Sequence, residues 1–212
     1  MLVLALDTAT PTLVVGVARW SAGQDIEVLA ERAVPSGNRH AELLTPAIRA
    51  VLADAALATA DLGAIVTGLG PGPYTGLRVG IVSAAALGDA LGVPVAGVCT
   101  HDAIGSGERT VVTDARRKEI YWAAFAADGS RTEGPDVVRP EELHRPGPFV
   151  GDPAFAERLG AAVVPAEVTT AGLVRAAASQ LADPSTAAPL VPLYLRRPDA
   201  TPPAALKAVS PA

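Results

Sequence analysis

Asp7 ends the apolar run Leu2–Leu6 and is followed by hydroxyls at Thr8 and Thr10. A carboxylate at the end of a buried strand, beside hydroxyls in a tight turn, has the oxygens to hold a hydrated Mg2+ that meets phosphate. The same side chains equally serve to satisfy the backbone N–H groups of the turn, and both readings stand. A second group is the loop Gly68-Leu-Gly-Pro-Gly-Pro-Tyr-Thr-Gly76, between the short apolar run Ala64–Thr67 and a long one at 75–91. Strand, glycine-rich loop and helix start form a common phosphate cradle, because the N–H groups of a first helical turn face an anion. The specific fingerprints fail: a P-loop needs Gly-Lys-Ser/Thr where this chain has Gly76-Leu77-Arg78, and the dinucleotide motif needs a third glycine where it has Pro73. A generic anion site and a plain helix entry both remain open.

Cys99 closes an apolar run with His101 two residues on, a setting typical of a core cysteine and not of a nucleophile. No Gly-x-Ser-x-Gly elbow exists, and the three histidines, His40, His101 and His144, are too scattered for a tight transition-metal site.

These groups need elements to position them. The chain has 212 residues, 50% hydrophobic and 18% charged, enough for one large or two small domains with ample core. A net charge of −5 gives no footprint for independent nucleic-acid binding, and the basic clusters Arg116-Arg117-Lys118 and Arg196-Arg197 are too short to change that. The single cysteine rules out an internal disulfide and fits a reducing compartment. The sequence opens on a strand pattern without a charged lead, and the 79–98 region is interrupted by Gly88, Asp89, Gly92 and Pro94, so the expectation is a cytoplasmic protein without a membrane span.

Leu2–Leu6, Leu13–Ala18 and 26–34 read as a three-strand meander. A helix follows at 39–56, with Leu44, Ile48, Val51, Leu52 and Ala55 as its apolar stripe, Asn38 as a possible cap, and Pro46 predicting a kink or a later start. Then come a strand at 64–67, a helix at 75–91 and a strand at 94–98. The order β-β-β-α-β-α-β predicts a mixed sheet, an antiparallel meander extended by parallel strands. In the 75–91 helix, Gly76, Gly80, Ala84 and Gly88 recur every four residues, and each interior Gly costs about 1 kcal/mol relative to Ala. A close-packed backbone accounts for that cost, either inside the domain or from a second protein. The pattern then partly restarts, with strands at 110–113, 120–125 and 149–150, short helices at 140–144 and 154–159, and one at 170–182. Prolines from Pro184 onward argue against a further domain.

Six stretches in order resemble the TsaB/YeaZ family: Leu4-Ala-Leu-Asp-Thr-Ala-Thr10, Arg39-His-Ala-Glu-Leu-Leu-Thr-Pro46, Gly70-Pro-Gly-Pro-Tyr-Thr-Gly-Leu-Arg-Val-Gly80, Asp114-Ala-Arg116 with Glu119-Ile-Tyr121, Gly151-Asp152, and Pro192-Leu-Tyr-Leu-Arg-Arg-Pro-Asp199. The family belongs to the glycoprotease-like branch of the actin/Hsp70/sugar-kinase superfamily. The resemblance implies an α/β protein of two ribonuclease-H-like lobes (the actin-like ATPase fold), with mixed sheets flanked by helices and the second lobe reduced. It places the lobes at 1–101 and 102–195, the C-terminal part free to pack back on the first lobe, and a flexible tail at 196–212.

The resemblance further implies a non-catalytic dimerisation subunit in N6-threonylcarbamoyladenosine modification of tRNA. Its partners would be the catalytic homologue TsaD and the ATPase TsaE, with a homodimer in isolation and tRNA met only through the complex. The implied partner surface comprises His40, Leu44, Ile48, Gly76, Gly80 and Ala84. The chain itself would need no cofactor; the residues matching a nucleotide site for ATP or ADP with Mg2+ are Asp7, Thr8, Thr10 and Gly151. The alternative is a stand-alone ATPase or small-molecule kinase.

Departures from the catalytic relative bear on this. TsaD-like proteins carry Asn-His-x-x-x-His after the strand that follows the long helix; here Cys99-Thr100-His101-Asp102-Ala103-Ile104 puts Thr100 and Ile104 at the metal positions. A peptidase assignment therefore lacks chemical support. Pro153 replaces a glycine after Gly151-Asp152, and Ala9 stands where kinases of the superfamily have glycine.

Overall fold

A computed structural model describes residues 1–196; the tail expected at 196–212 lies, apart from Arg196, outside the described residues. β1 (Leu2–Asp7), β2 (Thr12–Arg19) and β3 (Glu27–Pro35) form the antiparallel meander. β4 (Ala64–Gly68) and β5 (Val95–Val98) extend it beyond β1 in parallel, giving the order β3-β2-β1-β4-β5. Period-two alternation assigns the two faces of this sheet. Leu4, Leu6, Leu13, Val15 and Val17 point to α1 (His40–Asp54) and α2 (Tyr74–Leu91), while Val3, Ala5, Val14 and Ala18 point the other way.

α1 runs unbroken through Pro46, so the expected late start does not occur. Pro46 lies on the exposed face of α1, where water can take up the hydrogen bond that a proline leaves unmade. α2 begins after the extended Pro73 and ends where Gly92 turns left-handed, with Val93 N–H closing on the Gly88 carbonyl at 3.0 Å.

The second sheet repeats the first. β6 (Arg109–Asp114), β7 (Ile120–Phe125) and β8 (Arg131–Val138) form a meander, and β9 (Phe149–Gly151) and β10 (Val163–Pro165) add in parallel on the far side of β6. Reading outward from the central strand, the topology is the same, and Asp7 and Asp114 end equivalent strands. The connections differ. Where the first lobe has helices of 15 and 18 residues, the second has a 3-10 turn at Pro140–Glu142 and the four-residue α3 (Ala156–Leu159), so the second lobe is the reduced one.

Two strands, β8 and β10, escape the sequence reading. β8 is an edge strand with Gly134 and Pro135 inside it and an exposed face, and β10 is only three residues long, so neither shows alternation. The helix expected at 170–182 divides at Ala177 into α4 (Thr170–Ala176) and α5 (Ala178–Ala182). Leu173, Val174, Ala177 and Leu181 of this pair cover the second face of the first sheet and also meet Val111, Ala123 and Phe125 of the second. The C-terminal helices thus pack back on the first lobe and weld the two sheets through one core. Among the described residues no helix is long and apolar enough to cross a membrane.

Candidate functional site: the Asp7 turn and the cleft between the sheets

The parallel register of β1 with β4 and of β4 with β5 brings three strand ends together. Asp7 is fully buried there, and both its oxygens are engaged by its own chain. Oδ1 accepts the Ala9 N–H at 2.8 Å and Oδ2 accepts the Thr100 hydroxyl at 2.6 Å, while Thr100 Oγ1 in turn accepts the Gly70 N–H at 3.1 Å. Burial pushes the Asp7 carboxyl up to about 6; the bonds from Thr100 and Ala9 and the nearby His40 hold it from rising further.

Glycine is required where this turn meets the loop and α2. A Cβ on Gly68 would strike the Asp7 carboxylate, one on Gly72 the Ala9 carbonyl, and one on Gly80 the Thr8 hydroxyl. Thr8 Oγ1 donates to the Gly76 carbonyl at 2.8 Å. The small-residue stripe of α2 therefore lets the helix lie against the β1–β2 turn of its own chain, and of the two readings open for it, close packing within the domain is the one seen.

The residues expected at a partner surface are mostly enclosed by their own chain. His40, Leu44, Gly76, Gly80 and Ala84 are buried, and only Ile48 is half-buried. His40 is a clamp on the turn: its Nε2 lies 2.9 Å from both the Thr10 carbonyl and Ser36 Oγ, and Ser36 Oγ donates to the Pro11 carbonyl at 2.8 Å. The outward face of the two helices carries instead Ala41, Thr45, Arg78, Val82, Ala85 and Ala86, with Val82 64% exposed.

A cleft of about 300 Å³ opens between the lobes, and of the four nucleotide-site residues it takes in Thr10 and Gly151 but not Asp7 or Thr8. Its acidic groups are Asp114, Asp152 and Glu167. Asp114 Oδ1 accepts the Arg116 N–H at 2.7 Å, Asp152 Oδ1 accepts the Ala154 N–H at 2.9 Å, and Thr10 Oγ1 donates to the Thr12 carbonyl at 2.8 Å. A Mg2+–nucleotide site does not fit these residues. Asp7, at the end of the central strand, is buried with each oxygen already accepting a bond from its own chain, and Pro153 follows Asp152 without an N–H to offer.

Cys99 and His101 are buried structural groups. Burial pushes the Cys99 thiol up to about 12, and burial together with the Arg131 charge holds His101 near 3, hence neutral. His101 Nε2 bonds Thr113 Oγ1 of β6 at 2.9 Å, tying the inter-sheet linker to the second lobe.

Two further features shape the site. Arg116, Arg117 and Lys118 all have positive φ, at 64°, 52° and 64°. Nothing in an Arg-Arg-Lys run signals this, and the turn is held by Asp114 Oδ1 on the Arg116 N–H and by Glu119 N–H on the Arg116 carbonyl. The segment ending at Arg196 also returns over the site. Leu193 N–H bonds the Leu69 carbonyl at 2.8 Å, Tyr194 stacks on Tyr74, and Arg196 bonds the Ala115 carbonyl at 2.8 Å and pairs with Glu119 at 3.3 Å.

The family model described as "TsaD: tRNA N6-adenosine threonylcarbamoyltransferase" matches residues 30–188. An uncharacterized protein of Mycobacterium tuberculosis is 53% identical over 207 residues, covering 94% of each chain. The tRNA threonylcarbamoyladenosine biosynthesis protein TsaB of Escherichia coli K12 is 30% identical over 158 residues, covering 68% of this chain and 65% of that protein. Among solved structures, a Pseudomonas aeruginosa protein described as similar to peptidase YeaZ superposes with a TM-score of 0.71 at 25% identity, covering 92% of this chain and 99% of that one. With sequence and fold in agreement over most of its length, the chain belongs to the TsaD family of proteins, on its TsaB/YeaZ side.

Proposed function

We propose that this chain is a non-catalytic subunit in tRNA threonylcarbamoyladenosine biosynthesis, acting by docking on a TsaD-like homologue. Relatives in Bacillus subtilis and Escherichia coli bear that pathway in their names, and the family match supports association with a TsaD-like protein. The observation that carries the non-catalytic reading is the state of Asp7. The acid at the end of the central strand is buried and accepts one hydrogen bond from its own chain on each oxygen, where a working phosphoryl-transfer lobe needs an open carboxylate.

The docking surface is the outward face of α1 and α2, centred on Val82. A pair of packed helices whose outward face sets Ala41, Val82, Ala85 and Ala86 among charged Glu42, Arg49, Arg78 and Asp89 suits a four-helix contact with the same pair of a homologue. A second copy takes the same place when the homologue is absent, a TsaE-like ATPase joins the assembled pair, and any ATP or ADP with Mg2+ is handled by the partners.

Co-expression with the TsaD homologue of the same organism tests this. The expected result is a co-purifying complex, and tRNA modification in a reconstituted reaction that requires this chain. ATP turnover by the pure chain that is lost in Asp7→Asn, or full modification without the chain, overturns the proposal.

A further inference from the structure

A depression of about 660 Å³ lies between the inter-sheet linker, the β7–β8 turn and α4, and it shares no lining residue with the cleft. Three arginines reach it from three elements: Arg109 from β6, Arg131 from β8 and Arg175 from α4. In a chain with a net charge of −5, such a gathering runs against the average.

Arg131 is paired with Asp102, whereas Arg109 and Arg175 have no carboxylate hydrogen-bonded to them among the described residues. Arg109 is only 4% exposed, yet its Nε and Nη1 donate to the neutral carbonyls of Ile104 (2.6 Å) and Gly107 (2.8 Å), and its guanidinium lies 3.9 Å from the Phe125 ring centre. Gly105, with φ +69°, leaves room for this side chain to pass. Arg175 is exposed and has no hydrogen bond or ion pair among the described residues; burial lowers the Arg109 pKa most, the Asp102 charge raises it, and the Arg175 charge lowers it by less.

Two carboxylates also line the depression and offset part of its positive charge, leaving an excess of one guanidinium (three against two). Asp102 pairs with Arg131 at 3.2 Å, and Asp128 Oδ1 accepts the N–H and O–H of Ser130 at 2.8 and 2.6 Å. The exposed, unpaired Arg175 beside the buried Arg109 leaves an excess of positive charge in an open hollow, which an anion stabilises. Guanidinium forks match the oxygens of phosphate.

We propose that this depression is a binding site for a phosphoryl group, contacted by Arg175 and Arg131, with the buried Arg109 supplying positive potential from behind. The group can be carried by a small phosphorylated molecule or by a polynucleotide backbone, and the two are separable by experiment.

Calorimetric titration of the full chain with pyrophosphate is the first arm, and unmodified tRNA in a gel-shift assay is the second. Saturable pyrophosphate binding that weakens about tenfold to a hundredfold in Arg175→Ala, and is partly kept in Arg175→Lys, is the expected result. tRNA binding that is lost in Arg175→Glu and displaced by pyrophosphate identifies the backbone as the source. tRNA binding indifferent to Arg175→Glu, beside Arg175-dependent pyrophosphate binding, assigns the site to a small ligand. Arg175 is an exposed helix residue, so circular dichroism of each variant is expected to match the parent. If neither probe shows binding that depends on Arg175, the site does not exist.

Discussion

Thr100 donates its hydroxyl proton to Asp7 Oδ2 across 2.6 Å while its oxygen accepts the Gly70 N–H, so one threonine joins the end of β1 to the loop that launches α2. The bond spans 93 positions of sequence. It converts a carboxylate that could have been catalytic into a structural tie. Thr100→Val keeps the shape and removes the donor, leaving a buried carboxylate short of a partner. The expected loss is about 1–3 kcal/mol in urea unfolding at pH 7, and it is smaller but still present in an Asp7→Asn background, where the Gly70 N–H still loses its acceptor.

Asp7 and His101 pull the pH dependence of stability in opposite directions. The folded pKa of Asp7 is raised, from 3.8 to about 6, so its contribution is fully present below pH 3.8 and is lost as pH rises to about 6. The folded pKa of His101 is lowered, from 6.5 to about 3, so its contribution is present above pH 6.5 and is lost as pH falls toward 3. Between pH 4 and 6 the two slopes, each about 1.4 kcal/mol per pH unit, offset one another. Relative to the parent, Asp7→Asn is expected to gain stability with rising pH in this window, and His101→Gln to lose it. Chemical denaturation at four pH values reads the signs directly.

Gly80→Ala is expected to destabilise by about 1–3 kcal/mol despite the better helix propensity of alanine, because the new methyl meets Thr8 Oγ1. Gly80→Leu is expected to prevent folding, and so cannot report on association. Val82→Arg can: at 64% exposure it should change stability by no more than about 0.5 kcal/mol while removing co-purification with the homologue. Size-exclusion chromatography with light scattering, alone and with the partner, separates the two effects.

The Cys99 thiol, buried and pushed up to about 12, is expected to ignore a disulfide reagent at pH 8 in the native protein and to react at once in denaturant. Fast native labelling would show that β5 opens.

How much of this was legible in the chain depends on the range over which each signal acts. Apolar alternation at Leu2–Leu6 and Leu13–Ala18, the glycine loop and the four-residue spacing in α2 are local, and they place the elements of the first lobe to within a residue or two. The restart after residue 101 is legible as strands but not as a repeat, since the second lobe keeps the topology of the first and drops its helices.

The sequence by itself determined the elements of the first lobe, that α2 must meet something at close range, and that the linker at 99–104 does not carry the Asn-His-x-x-x-His pattern. Only the tertiary structure decided what α2 meets, because a row of glycines records that a neighbour comes close and not whose backbone it is. It also decided the fate of Asp7. Whether a strand-end carboxylate faces a ligand or is sealed depends on a hydroxyl from Thr100, and that residue reaches it only after β4 and β5 have paired in parallel beside β1.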